Sequence, residues 1–236
     1  PLKKQSIIVK DGKIVEVKKG FINAKTVASD ANVVDLSDAF VLPGLMDMHV
    51  HLQGELGPRN DSDALRLSDA DKLVKSAMYA ERTLMAGFTT VRDLGGLPEQ
   101  SFALRDGIAK GWIAGPRIMA AGSNVAVTGG HGDVDGMKPD LLHIHTAKTV
   151  CDGPFDCRRA TRHAIKFGAD VIKITSTGGV LSDTDTGTGQ QMADDELKEV
   201  VETAHALGRK VASHAHAAAG INAALRAGVD SIEHGS

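Results

Sequence analysis

Residues 40–51 read Phe40-Val41-Leu42-Pro43-Gly44-Leu45-Met46-Asp47-Met48-His49-Val50-His51. An apolar run leads into two histidines spaced i, i+2. Side chains alternate along a strand, so His49 and His51 face one way and both imidazoles reach one metal ion at the strand's end. Four more polar residues follow later apolar runs: His131, Lys173, His214 and His234. Gathering ligands from strand ends across a chain is how a parallel α/β barrel builds an active site.

The sequence between these residues repeats a strand–loop–helix pattern. Ala86-Gly87 precedes Phe88–Asp93, Phe167-Gly168 precedes Ala169–Ile174, Leu207-Gly208 precedes Arg209–His214, and Ala227-Gly228 precedes Val229–His234. Each glycine suits the left-handed residue that ends a helix. The stretches 73–86, 157–167, 194–207 and 218–227 carry apolar residues at helical spacing. Strands alternating with such helices predict a parallel sheet. The expected class is α/β, a (β/α)8 TIM-type barrel. This chain covers about six of its eight strands, near 41–49, 88–93, 117–121, 170–175, 210–214 and 230–234. No Gly-x-Gly-x-x-Gly fingerprint follows the first strand, which argues against an open doubly wound sheet. Residues 1–40 read as part of a small β-sandwich, with strands at 6–10, 13–17 and 33–36 and a hairpin turn at Asp11-Gly12. Residues 41–236 are then the incomplete barrel. Gly122–Leu142 and Ser176–Met192 are long strand-following loops, candidates for shaping a site.

Composition narrows the function classes. The chain has 236 residues, 42% hydrophobic and 24% charged, with a net charge of −3 and 3% aromatics. Neither a basic surface nor aromatic stacking platforms for nucleic acid are expected. No apolar run approaches the roughly 20 residues of a membrane span. Cys151 and Cys157 are either ordinary thiols, consistent with the cytoplasm, or a loop-closing disulfide, which implies a periplasmic or secreted protein. Too few other ligands lie nearby for a zinc knuckle. The start at Pro1 and the end two residues past His234 suggest part of a longer polypeptide.

Val41–His51 resembles the opening strand of the metal-dependent amidohydrolase superfamily. Val171-Ile172-Lys173-Ile174 with Thr177-Gly178-Gly179, Val211–His216 and Ser231–His234 resemble its binuclear branch. Within it, the chain is similar to the Xaa-Pro dipeptidase-like and imidazolonepropionase-related group, which includes Arg/Lys carboxypeptidases and ochratoxin-type amide hydrolases. The resemblance implies that His49 and His51 hold one divalent ion and His214 and His234 a second. Lys173, carboxylated by CO2, would bridge them, since a carbamate is an anionic oxygen donor and an ammonium is not. Two ions, zinc first among zinc, manganese, cobalt and iron, are the implied cofactors. His131 would contact the scissile carbonyl or substrate, and His216 would line the substrate pocket. The family's strand-eight Asp, metal ligand and proton shuttle, has no counterpart before Ser236.

Plainer readings stand beside these. His143-Ile144-His145 repeats the spacing without a strand before it, so a surface role is expected. Lys173 has a barrel salt bridge and a Schiff-base lysine as competitors. His131 can be a loop histidine shaped by its glycines, while His163 and His205 sit within helices. Gly189-Gln190-Gln191 can form a lid. The leading expectation is a binuclear metalloenzyme that hydrolyses the amide bond of a dipeptide or N-acyl amino acid, dipeptidase- or carboxypeptidase-like, working as a homo-oligomer. The alternatives are a one-metal cyclic amidohydrolase or deaminase, and a non-catalytic fragment.

Overall fold

Asp11 and Gly12 both adopt positive φ, 51° and 72°. That geometry matches the right-handed twist of two flanking strands and closes a tight hairpin. β1 (Gln5–Lys10) and β2 (Lys13–Lys19) pair antiparallel from Lys10↔Lys13 outward, with an irregularity between Ile8 and Val9. The computed structural model describes residues 2–58, 60–180, 182 and 187–236, so residues 181 and 183–186 of the expected loop 176–192 lie outside the described residues. The chain divides into two compact units, Pro1–Pro43 and Gly44–Ser236.

The first unit is the β1–β2 hairpin with a tail that holds one 3-10 turn, Ala24–Thr26, and is otherwise irregular. Ser6 Oγ ties the hairpin to the tail, donating to Gly20 O at 2.8 Å and accepting from Ile22 N at 3.2 Å. The expected strand at 33–36 does not form. Val33 and Val34 are exposed and no strand pairs with them, and a strand without a ladder partner leaves its backbone to water. The hairpin alone does not make up the sandwich expected of this segment.

The second unit alternates strands and helices: β3 (Leu45–Val50), α1 (Asn60–Arg66), α2 (Asp69–Met85), β4 (Phe88–Asp93), α3 (Pro98–Ala109), β5 (Arg117–Ala120), α4 (Pro139–His145), α5 (Pro154–Phe167), β6 (Val171–Thr175), α6 (Asp194–Ala206), β7 (Lys210–Ala215), α7 (Ala218–Ala227) and β8 (Ser231–His234). The first strand starts at Leu45 rather than 41, because Pro43 cannot donate to a ladder and a Cβ on Gly44 would overlap Thr89. Helix α2 opens on a capping box, Ser68 with Asp71. Helix α5 closes on Gly168 at φ 116°, a backbone that side-chain-bearing residues resist.

The strands form two parallel sheets in chain order, β3-β4-β5 and β6-β7-β8. A bridge at Val125↔Ile174 joins them, with Val125 N donating to Lys173 O at 2.8 Å and Asp170 N to Ala120 O at 2.9 Å. The six strands thus follow the order expected of a barrel wall, but no closed barrel forms among the described residues. The outward faces (Val91, Ile172, Ile174, Val211) pack in one core with helix residues Leu104, Ala160, Leu197 and Val200. Each such large aliphatic side chain contributes about 2 kcal/mol on burial. A smaller inward core holds Leu94, Ala121, Val171 and Ala212. By strand alternation Val171 and Ala212 share their face with Lys173 and His214. No helix among the described residues is long and apolar enough to cross a membrane.

Candidate active site at the strand ends

The period of two fixes which residues enter the interior. On β3 they are Asp47, His49 and, just past the strand, His51. On β6 they are Lys173 and Thr175, and on β7 His214. His234 ends β8 at φ 71°, an unusual backbone for a residue with a branched ring side chain and the kind of local strain found at functional positions. His216 follows β7 directly, and its backbone N–H is held by Thr177 Oγ1 at 3.1 Å.

The structure gathers six of these histidines. Ring centroids are 5.3 Å apart for His49 and His51, 4.8 Å for His49 and His234, and 4.6 Å for His214 and His234. His131 lies 4.1 Å from His214, and His216 stacks on His234 at 5.1 Å. Gly179 makes room for His131, because a Cβ there would overlap the imidazole. His131 is fixed further by Ser182 Oγ at 2.6 Å from its Nδ1 and by Gln191 Oε1, which accepts from its backbone N–H at 2.9 Å. The Gly189–Gln191 segment therefore touches the site through Gln191.

Lys173 is 3% exposed and forms no ion pair among the described residues. Burial is the main cause that pushes its pKa down to about 8, against an opposing pull from Glu233. Burial also pushes His49 down to about 4, helped by the charge of Lys173, and His214 down to about 3, helped by His131. His51, His131 and His234 are lowered too, burial first. These imidazoles are therefore neutral at pH 7, the form that binds metals.

Hydrogen bonds set the tautomers of the first pair. His49 Nδ1 lies 3.0 Å from Glu233 Oε2, and His51 Nδ1 lies 3.0 Å from Gly95 O. Carboxylate and carbonyl oxygens only accept, so each Nδ1 carries the proton. Both Nε2 atoms then present lone pairs, and they face each other at 3.3 Å. Two facing lone pairs repel; a cation between them turns the repulsion into attraction. On this observation the donor set fits a divalent metal ion. Among the described residues no three His, Cys, Asp or Glu side chains are yet arranged around one ion, and His214 Nε2 is turned toward Gly178 O at 3.2 Å. Among the described residues four buried side-chain atoms have no hydrogen-bond partner: Asp93 Oδ2, Gln100 Oε1, Asn124 Oδ1 and Thr175 Oγ1.

Other sequence expectations fall outside this cluster. His143 and His145 lie on the short helix α4, exposed, where i, i+2 side chains point apart. That stretch is helical rather than irregular, because Pro139 is pre-set for a first helical turn. His163 rests on Phe167, and His205 pairs with Asp230 at 2.8 Å. Cys151 and Cys157 form a disulfide. Sequence reasoning missed Arg92 and Glu233. The signal was available: a charged residue inside a short apolar strand is rarely buried without a partner.

Residues 40–236 match the profile of the Amidohydrolase family, and the chain belongs to that family. Among curated proteins, ochratoxinase from Aspergillus niger is 34% identical over 209 residues, covering 82% of this chain and 43% of the relative. Among solved structures, a Xaa-Pro dipeptidase with methionine bound in its active site aligns at TM-score 0.89 and 40% identity, over 98% of this chain and 56% of that one. A prolidase in complex with N-methylphosphonate-L-proline aligns at 0.85 and 31%, over 99% and 57%. This chain spans about half the length of these relatives. Their fold is of the TIM-barrel type, and the family is generally metal-dependent.

Proposed function

We propose that this chain carries most of the metal centre of an amidohydrolase acting on a dipeptide or an N-acyl amino acid with a free carboxylate. One observation carries the reading: His49 and His51, locked as neutral Nδ1–H tautomers, aim two lone pairs at one point in an interior that also buries Lys173. The relatives support the substrate class, since they are named Xaa-Pro dipeptidase and ochratoxinase.

In this reading His49 and His51 hold one ion, and His214 and His234 hold a second. Bound there, two divalent ions, zinc in the first instance, would supply an activated water at neutral pH and polarise the amide carbonyl. Lys173, once carboxylated, would offer them an anionic oxygen donor: its Nζ lone pair attacks the CO2 carbon, a C–N bond forms as one C=O π pair moves onto oxygen, and one proton leaves to solvent. With a pKa of about 8, about a tenth of Lys173 is the reactive free amine at pH 7. His131, held by Ser182, Gln191 and the open face of Gly179, orients the substrate at its scissile carbonyl. His216, stacked on His234, lines the wall of the pocket.

The test is metal content and turnover of the purified chain after incubation with Zn2+ and bicarbonate, against a panel of Xaa-Pro dipeptides and N-acyl amino acids. About two ions per chain are expected, with amide cleavage where the protein assayed also supplies the strand-eight Asp that the family resemblance implies. Lys173→Ala should cut kcat/KM by about 10³-fold or more, some 4 kcal/mol of barrier. One ion per chain, with turnover of cyclic amides only, would favour the one-metal alternative. No metal uptake would defeat the reading.

A further inference from the structure

Two charged side chains inside the barrel wall have no part in the proposed chemistry. Glu233 lies inward on β8 and is 6% exposed. Its Oε2 is 3.0 Å from His49 Nδ1, and its Oε1 is 2.5 Å from Arg92 Nη2 and 2.6 Å from Ser231 Oγ. Arg92, inward on β4, donates through Nε to Met48 O at 2.7 Å and through Nη1 to Ser231 Oγ at 3.2 Å. The network therefore starts on β4, grips the backbone of β3 one residue before His49, crosses to β8, and ends on the ring of His49. It joins the two sheets through the interior.

Packing alone does not require this arrangement. A buried ion pair costs desolvation that an apolar pair of similar size avoids. A carboxylate on Nδ1, however, gives something an apolar residue cannot: it makes the Nδ1–H tautomer the stable one and leaves the Nε2 lone pair pointing at His51. A carboxylate free to rotate would not hold that direction, and Arg92 and Ser231 both fix Oε1 so that Oε2 stays on the ring. His51 needs no such device, because the Gly95 carbonyl already holds its Nδ1.

We infer that Glu233, clamped by Arg92 and Ser231, is a positioning residue that sets the tautomer and direction of His49. Its effect on metal binding rests on the metal-centre reading above; its effect on the tautomer does not.

The test uses the full chain, metal-free and labelled with 15N-histidine, so that long-range proton–nitrogen spectra report which nitrogen of His49 carries the proton. A paired variant, Arg92→Met with Glu233→Met, removes both charges while keeping the volume. The single variant Glu233→Gln keeps an oxygen for Arg92 and Ser231 but turns an amide N–H2, a donor, toward Nδ1. In the unmodified chain His49 should be Nδ1–H; in Glu233→Gln, where an amide donor meets Nδ1, it should turn to Nε2–H. In the paired variant it should shift toward Nε2–H, with the melting temperature little changed. Zn2+ titration should then show affinity lowered by about 10- to 100-fold in both variants. A folded paired variant with His49 still Nδ1–H would overturn the inference. So would a variant that only loses stability while the tautomer stays fixed. If the unmodified chain takes up no Zn2+ but the tautomer shifts as expected, the inference stands and the metal-centre reading fails.

Discussion

Single residues here are governed by what surrounds their charge. Asp230 shows this away from the site. Burial pushes its carboxyl up, but hydrogen bonds from Lys210 Nζ at 2.6 Å, His205 Nε2 at 2.8 Å and the Val211 backbone N–H at 2.8 Å outweigh burial and hold it at about 2. A carboxylate depressed in the folded state stabilises fully above its unfolded value near 4, and that contribution disappears as pH falls toward 2. The shift corresponds to about 1–2 kcal/mol at neutral pH, after allowing for the water that reaches the pair. Asp230→Asn should therefore destabilise by about that much at pH 7 and by almost nothing near pH 2, measured by urea unfolding at both pH values. Equal loss at both would mean that shape, not charge, matters at this position. The same physics limits what sequence shows of the site. His49, His51, Lys173, His214 and His234 announce themselves by type and by strand position. The proton on each ring and the pairing of Glu233 with Arg92 do not, because they depend on residues as far as 184 positions apart.

At the scale of elements, most of the barrel wall was legible. The glycines before β4, β6, β7 and β8 mark helix ends, and apolar runs of strand length follow each one. Helix α3 was not legible: its stretch carries Ser, Arg and Gly among its apolar residues, and Gln100 and Ser101 are buried within it, so no clean stripe appears. Val33–Leu36 has strand composition and no strand, because β propensity expresses itself only against a partner. His143-Ile144-His145 repeats the decisive spacing of β3 on a helix, and there the spacing means nothing. Element ends can be tested directly. Ser68 Oγ accepts from Asp71 N at 3.2 Å, and the Asp71 carboxylate accepts from Ser68 N at 3.0 Å. Ser68→Ala removes half of this reciprocal cap and should cost about 1 kcal/mol, seen as a lower urea midpoint with an unchanged slope. A changed slope would mean that the cap governs more than the first turn of α2.

For the molecule as a whole, the question is whether the interior cluster gains stability from an ion. As they stand, His49 and His51 set two lone pairs against each other at 3.3 Å, and Lys173 is buried with its ammonium form disfavoured. The interior is thus a place where folding concentrates unfavourable electrostatics. A site of this kind binds its ion in the folded state far better than in the unfolded chain, so the ion's binding energy adds to folding stability. At about 100 times the dissociation constant, saturation adds about 2.7 kcal/mol, which for a chain of this size raises the melting temperature by about 5–11 °C. Scanning calorimetry of the chain with Zn2+, with Zn2+ followed by chelator, and with chelator alone should show a rise, its reversal, and a common lower value. The rise should shrink in His49→Ala, where one of the facing nitrogens is gone, while the chelated value moves little or upward as the repulsion is relieved. A melting temperature indifferent to Zn2+ and to chelator would mean that the facing imidazoles share a proton rather than a metal, and the site would have to be read as a buried histidine pair.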